Sequence, residues 1–174
     1  QGLPDDPQGS GLAAIRQALA LANNGTPKER DMINTLFVLY NMDAIPDSKE
    51  RDAAYVDALR ALKTKYPNDP DIHTIFAEAY MNTTRWDYWL PDGTAKLGTA
   101  EAQEALETAM RLEHDHPGAN HLYIHLMEGS AQPELAMPAA QKLESIVPIS
   151  GHMVHMPGHI YLRVGEYEKA IDIN

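Results

Sequence analysis

The chain contains no cysteine. Disulfides, thiolate zinc sites, iron–sulfur clusters and thiol nucleophiles are all excluded by that one absence. It says nothing of compartment, because a stable helical protein needs no disulfide on either side of a membrane. Aromatic side chains are scarce, at 7% of residues, so the helix formers Ala, Leu and Met carry much of the apolar content. No apolar run approaches the roughly eighteen residues of a spanning helix, and no signal peptide is visible. Basic residues are short as well, 14 against 25 acidic ones, for a net charge of −11. Such a surface repels phosphate backbones and anionic membranes, so nucleic acid is not an expected partner and cations are the natural small ones. Also missing are a Walker loop, a nucleophile elbow, a GxGxxG turn and an HExxH motif. Leu122 follows His121 where a zincin has Glu, and no isolated carboxylate pair suggests glycosidase chemistry.

What is present reads as helix throughout. With 174 residues, 44% of them hydrophobic, the chain has material for one domain, 1–174, or one run of stacked repeats. It is expected to be a piece of a longer protein, because the helical pattern is still running at Ile171-Asp172-Ile173-Asn174. Residues 1–10 should form an irregular lead-in, followed by a helix over 12–22. Thr26, with Pro27 and Glu29, opens a second helix running to about Tyr40. Ser48 should cap a third over 49–65, and a fourth covers 71–83. An insertion over 84–98 holds Arg85-Trp86-Asp87-Tyr88-Trp89 and the turn Pro91-Asp92-Gly93; it is expected to pack onto the helices, with a lid or peptide ledge as the other reading. Thr99 should cap a fifth helix over 100–113. Further helices are expected over 119–128, 133–146 and 152–164, with a break at Gly165 and a last one from Glu166. No segment alternates with period two, so strands are not expected.

The helices recur in pairs. Small or apolar residues repeat at Ala54, Ala58, Ala61, then Ala102, Leu106, Ala109, then Ala139, Leu143, Ile146, and Pro67, Pro117 and Pro148 follow them. Equivalent alanines, Ala54, Ala102, Ala139 and Ala170, lie 48, 37 and 31 residues apart; the insertion stretches the first interval. Two helices per roughly 34 residues is the tetratricopeptide period. The last repeat fits best: Gly158, Tyr161, Gly165, Tyr167 and Ala170 supply the small residues that let paired helices approach and the aromatics that fill between repeats. The expected fold class is therefore all-α, an α-α superhelix of tetratricopeptide-like helix-turn-helix repeats.

Five of the eight histidines fall between 121 and 159. His121 and His125 are four apart with Glu128 beyond them. His155 and His159 are four apart with His152 before them. Residues three and four apart share a helix face, and two imidazoles so placed can hold one metal. Both segments read as first helices of successive repeats, which lie side by side on the inner face. Counting eight residues from Pro70 and from Pro117 pairs Glu78 with His125, and matching the small residue and aromatic of the last repeat adds His159 to the row, backed by His121 and His155. Pro157 should kink the last of these helices or start it near Met156, which would leave His152 and His155 in an entry loop. Met127, Met153 and Met156 lie near enough to offer thioethers to copper, or simply to fill the core.

The blocks HPGANHLYIHLMEGS and HMVHMPGHIYLRVGEYEKA, with FAEAYM, RWDYW and TPKERDMINTL, resemble a group of bacterial tetratricopeptide-repeat proteins over nearly the whole chain from Gly11. The resemblance implies an α-α superhelix in longer, often exported proteins and implies no particular reaction. It also implies His at the positions of His121, His125, His155 and His159 and Glu at that of Glu78, all matched here.

Two functions follow. In the first, Glu78, His121, His125, His155 and His159 bind a transition metal, with Glu128 and His152 in second rank; zinc suits neutral imidazole and carboxylate best, copper or nickel come next, and an open position on the metal permits hydrolysis. In the second, the concave face grips a protein or peptide partner and the histidines only hydrogen-bond. Periplasmic and cytoplasmic locations and any oligomeric state fit both.

Overall fold

The structure, a computed structural model, describes residues 9–174. Most of the lead-in expected over 1–10 lies outside these residues, and Ser10 already belongs to the first helix. The described residues are all-helical; Trp89 and Ala95 form an isolated bridge inside the insertion. Among the described residues no helix is long and apolar enough to cross a membrane. Where the sequence reads as one run, the chain divides into two compact units, Gln1–Pro67 and Asn68–Asn174.

The first unit holds α1 (Ser10–Leu21), α2 (Pro27–Tyr40) and α3 (Ser48–Lys65), each packed on the next. Thr26 opens α2 with a full capping box: its hydroxyl accepts from the Glu29 N–H while the Glu29 carboxylate accepts from the Thr26 N–H at 2.7 Å. The cap of α3 differs from expectation. Asp47, not Ser48, accepts from the Glu50 N–H at 3.0 Å, since a carboxylate is the stronger acceptor at the positive end of a helix. The stripe that α3 buries is Val56, Leu59 and Leu62, while Ala61 is exposed. Larger side chains remove more apolar area from water than the alanines, so the helix turns that way.

The second unit holds α4 (Pro70–Thr84), α5 (Thr99–Leu112), α6 (Pro117–Met127), α7 (Met137–Ile146), α8 (Gly151–His155), α9 (Pro157–Val164) and α10 (Tyr167–Asp172). A 3-10 turn over Pro133–Ala136 takes the first part of the helix expected from 133. Sequential helices α4, α5, α6 and α7 pack on one another, α7 packs on α9, and α9 on α10. In addition α4 lies against α6, and α6 against α9. Ala102, Ala105, Leu106 and Ala109 give α5 one buried apolar stripe at helical spacing. Gly158 marks a close approach: an added Cβ would stand 2.8 Å from the Asn174 side chain at the end of α10. Gly165 ends α9 in the left-handed conformation, at φ 85°.

The insertion is fastened by a buried hydroxyl network. Thr99 was expected to cap α5, but Gly98 at φ 90° holds that place. The Thr99 hydroxyl instead turns inward, donating to the Tyr88 carbonyl at 2.8 Å and meeting the Tyr80 hydroxyl at 3.0 Å. Tyr80 also reaches the Leu97 carbonyl at 2.8 Å, and Trp89 donates from Nε1 to the Leu126 carbonyl at 2.7 Å.

Gly98 both needs a positive φ and lies against Tyr80, where a Cβ would come within 2.3 Å of the ring. Gly98→Ala is expected to destabilise the protein by about 2 kcal/mol or more through overpacking and strain. Chemical denaturation measures this, and an unchanged midpoint would contradict the close fit.

Candidate metal centre

The histidine face is built from α6 outward. His116 caps that helix, accepting at Nδ1 from the Ala119 N–H at 3.1 Å and donating from Nε2 to Asp71 at 3.1 Å. Asn120 donates to the His114 and His116 carbonyls, at 3.1 and 2.9 Å, and ties down the first turn. Tyr123, Ile124, Leu126 and Met127 are buried. The opposite face carries His121 and His125, whose ring centroids are 4.7 Å apart.

The second wall comes from α8 and α9. Pro157 offers no N–H, so α8 stops and α9 restarts there, yet Met156 between them keeps helical torsions, φ −55° and ψ −40°. His152 and His155 therefore lie on a short helix rather than in a loop. Facing α6, His152 sets its Nε2 3.0 Å from Nε2 of His121. The nitrogens of His121, His125 and His152 that can bind a metal all lie within 4.8 Å of one another. His125 and His159 rings meet edge to face at 5.8 Å.

Glu128, just beyond α6, joins the two walls. His125 donates from Nδ1 to its Oε1 at 3.3 Å, and His159 donates from Nδ1 to its Oε2 at 2.5 Å. Burial alone raises a carboxyl's pKa, but these two donors outweigh it and hold Glu128 below its ordinary value. Both rings then present Nε2 for other partners, the arrangement by which a carboxylate behind a histidine prepares it as a metal ligand. On the far side, His155 and His159 meet Nε2 to Nε2 at 3.0 Å, and His155 Nδ1 donates to the Asn174 side-chain oxygen.

Trp86 closes over this face. Its ring lies edge-on to His125 at 4.5 Å while remaining 62% exposed. The segment that carries it is strained: Arg85 and Trp86 both have positive φ, 40° and 69°, a conformation costing roughly 1–3 kcal/mol per non-glycine residue. Tyr88 and Trp89 pack the insertion onto the helices, as expected, while Trp86 lies against His125 alone among the histidines.

Of the residues expected to act as ligands, His121, His125, His155 and His159 lie in this one constellation. Glu78 is different. It is exposed on α4, and no hydrogen bond or ion pair joins it to the histidines. Glu128 is the carboxylate hydrogen-bonded to His125 and His159, and His152 belongs to the close trio with His121 and His125. Asn174 was not foreseen at all. Met127 and Met156 are buried core residues, 1% and 0% exposed.

His121 is driven to about 4 from 6.5, first by burial and then by the neighbouring rings of His125, His152 and His159. It is neutral in the folded protein over a range where the unfolded chain binds a proton. Stability of the metal-free chain should therefore fall as pH drops from about 6.5 toward about 4. Glu128, with its pKa lowered on folding, adds a loss in the same direction at the acid end. Denaturation midpoints are expected to fall between about pH 7 and about pH 5 by less in His121→Gln than in the unaltered chain; equal losses would contradict this role for His121. No protein-family model matches the chain, and neither does any curated protein.

Proposed function

We propose that the second unit is a tetratricopeptide-like array, with α4, α6 and α9 as first helices, and that the histidines of α6, α8 and α9 form a transition-metal centre. The observation that carries the metal reading is the convergence of His121, His125 and His152 within 4.8 Å, backed by a carboxylate on Nδ1 of His125. The array reading is supported by the packing of α6 against both α4 and α9 and by the close approach at Gly158. It also agrees with the resemblance to bacterial tetratricopeptide-repeat proteins noted in the sequence.

Zinc is the best-suited ion. Imidazoles without a thiolate fit it well, with copper and nickel next, and the burial of Met127 and Met156 leaves those thioethers to the core. Three imidazoles leave a fourth tetrahedral position for solvent or substrate, the arrangement used in metal-assisted hydrolysis. His121, held neutral, is ready to ligate without first losing a proton. Trp86 over His125 keeps bulk water from one side of the group.

Protein purified without chelator is expected to retain near-stoichiometric metal by elemental analysis. Zn²⁺ at about a hundred times its Kd should stabilise the metal-free chain by about 2.7 kcal/mol. A His125→Ala/His152→Ala double variant should lose both effects with its helicity unchanged. Absence of metal together with no stabilisation by Zn²⁺, Cu²⁺ or Ni²⁺ would instead leave a peptide-gripping scaffold. Trp86 gives a second readout: Cu²⁺ should quench tryptophan fluorescence in the Trp89→Phe variant and not in Trp86→Phe. Equal quenching in both would place the ion elsewhere.

A further inference from the structure

The centre has a second half that the trio does not use. His159 donates from Nδ1 to Glu128. His155 donates from Nδ1 to the side-chain oxygen of Asn174, whose amide orientation is set by its own N–H donating to the Ala170 carbonyl at 2.6 Å. A neutral imidazole carries one N–H, and in both rings that hydrogen is committed to an oxygen. While both rings are neutral, no hydrogen lies between their two Nε2 atoms, which face each other at 3.0 Å. Lone pairs at that separation repel unless a cation lies between them.

The separation matches a shared metal. Two nitrogens, each about 2.0–2.1 Å from a tetrahedral ion, stand roughly 3.3 Å apart. The same Nε2-to-Nε2 distance, 3.0 Å, recurs between His121 and His152. Glu128 sits between these two nitrogen groups and accepts a hydrogen bond from one member of each, His125 and His159.

Building on the metal reading above, we propose that the chain binds two divalent ions: one at His121, His125 and His152, and a second at Nε2 of His155 and His159. Glu128 is the positioning residue common to both, and Asn174 positions His155. The second ion has two protein nitrogens against three, so it binds more weakly and takes its remaining ligands from solvent or from an anionic group of a substrate. Each ion would supply a Lewis acid for an anionic oxygen of a substrate such as a carboxylate or ester.

The test is titration of the metal-free chain with Zn²⁺ by calorimetry, with elemental analysis at saturation. Two equivalents are expected, the second weaker. His155→Ala should abolish the weaker step and leave the tighter one, whereas His121→Ala should weaken the tighter step. Glu128→Gln keeps the side-chain shape and should weaken both steps by about 10–100-fold, with helicity unchanged. A single equivalent that His155→Ala does not affect would overturn the second position, and the facing nitrogens would then share a proton; the mononuclear reading would stand. A second equivalent insensitive to His155→Ala, or a Glu128→Gln effect on one step alone, would also overturn the proposal. No Zn²⁺ binding at all would overturn both readings.

Discussion

One half-buried carboxylate sets the geometry of this molecule's polar face. Glu128 stands where α6 ends and accepts one hydrogen bond from a ring on its own helix and another from a ring on α9. A charge withdrawn from water must find such donors or be lost to protonation. Two N–H groups suffice here to keep its pKa low. In return the carboxylate chooses the tautomer of both rings, and so decides which nitrogen of each faces its neighbours. The arrangement needs α6 and α9 in contact, with His125 and His159 at compatible heights. Pro157 restarts the helix that carries His159, and Gly158 gives room to the Asn174 side chain that holds His155.

The insertion contributes in a different currency. Its base is rigid, because Tyr80, Thr99 and Tyr88 satisfy one another in the interior and Trp89 reaches across to α6. From that base two consecutive non-glycine residues are held in the left-handed region, which sets the Trp86 ring on His125. An exposed indole in a strained segment gains little by ordinary burial. The buried network behind it supports that strain.

Much of this was legible in the residues. A capping box and prolines mark the boundaries of α2, α4 and α6 to within about two residues, and Gly165 marks the end of α9, because those signals act locally. The i, i+4 spacing of His121 with His125 and of His155 with His159 showed which faces they share. Counting residues from a proline was less able to say how far a side chain on one helix reaches toward another. Glu78 was aligned with the histidines that way and lies exposed without a bond to them, while Glu128, past the helix end and outside the counted row, holds the centre. Pro157 left both His152 and His155 open to an entry-loop placement, but the backbone stays helical through Met156. The caps at Ser48 and Thr99 went to neighbours because a nearby carboxylate and a buried carbonyl competed for the same groups. Asn174 could not be foreseen, since its pairing with His155 exists only after α10 folds back onto α9.

The claim that histidines from α6 and α8 jointly ligate a metal is tested most directly by zinc X-ray absorption on the loaded full chain. The account predicts a first shell of nitrogen and oxygen at about 2.0–2.1 Å with the outer-shell scattering of several imidazoles, reduced when His152 is replaced by Ala. A shell of oxygen alone, or imidazole scattering that does not change on replacing His152, would contradict it.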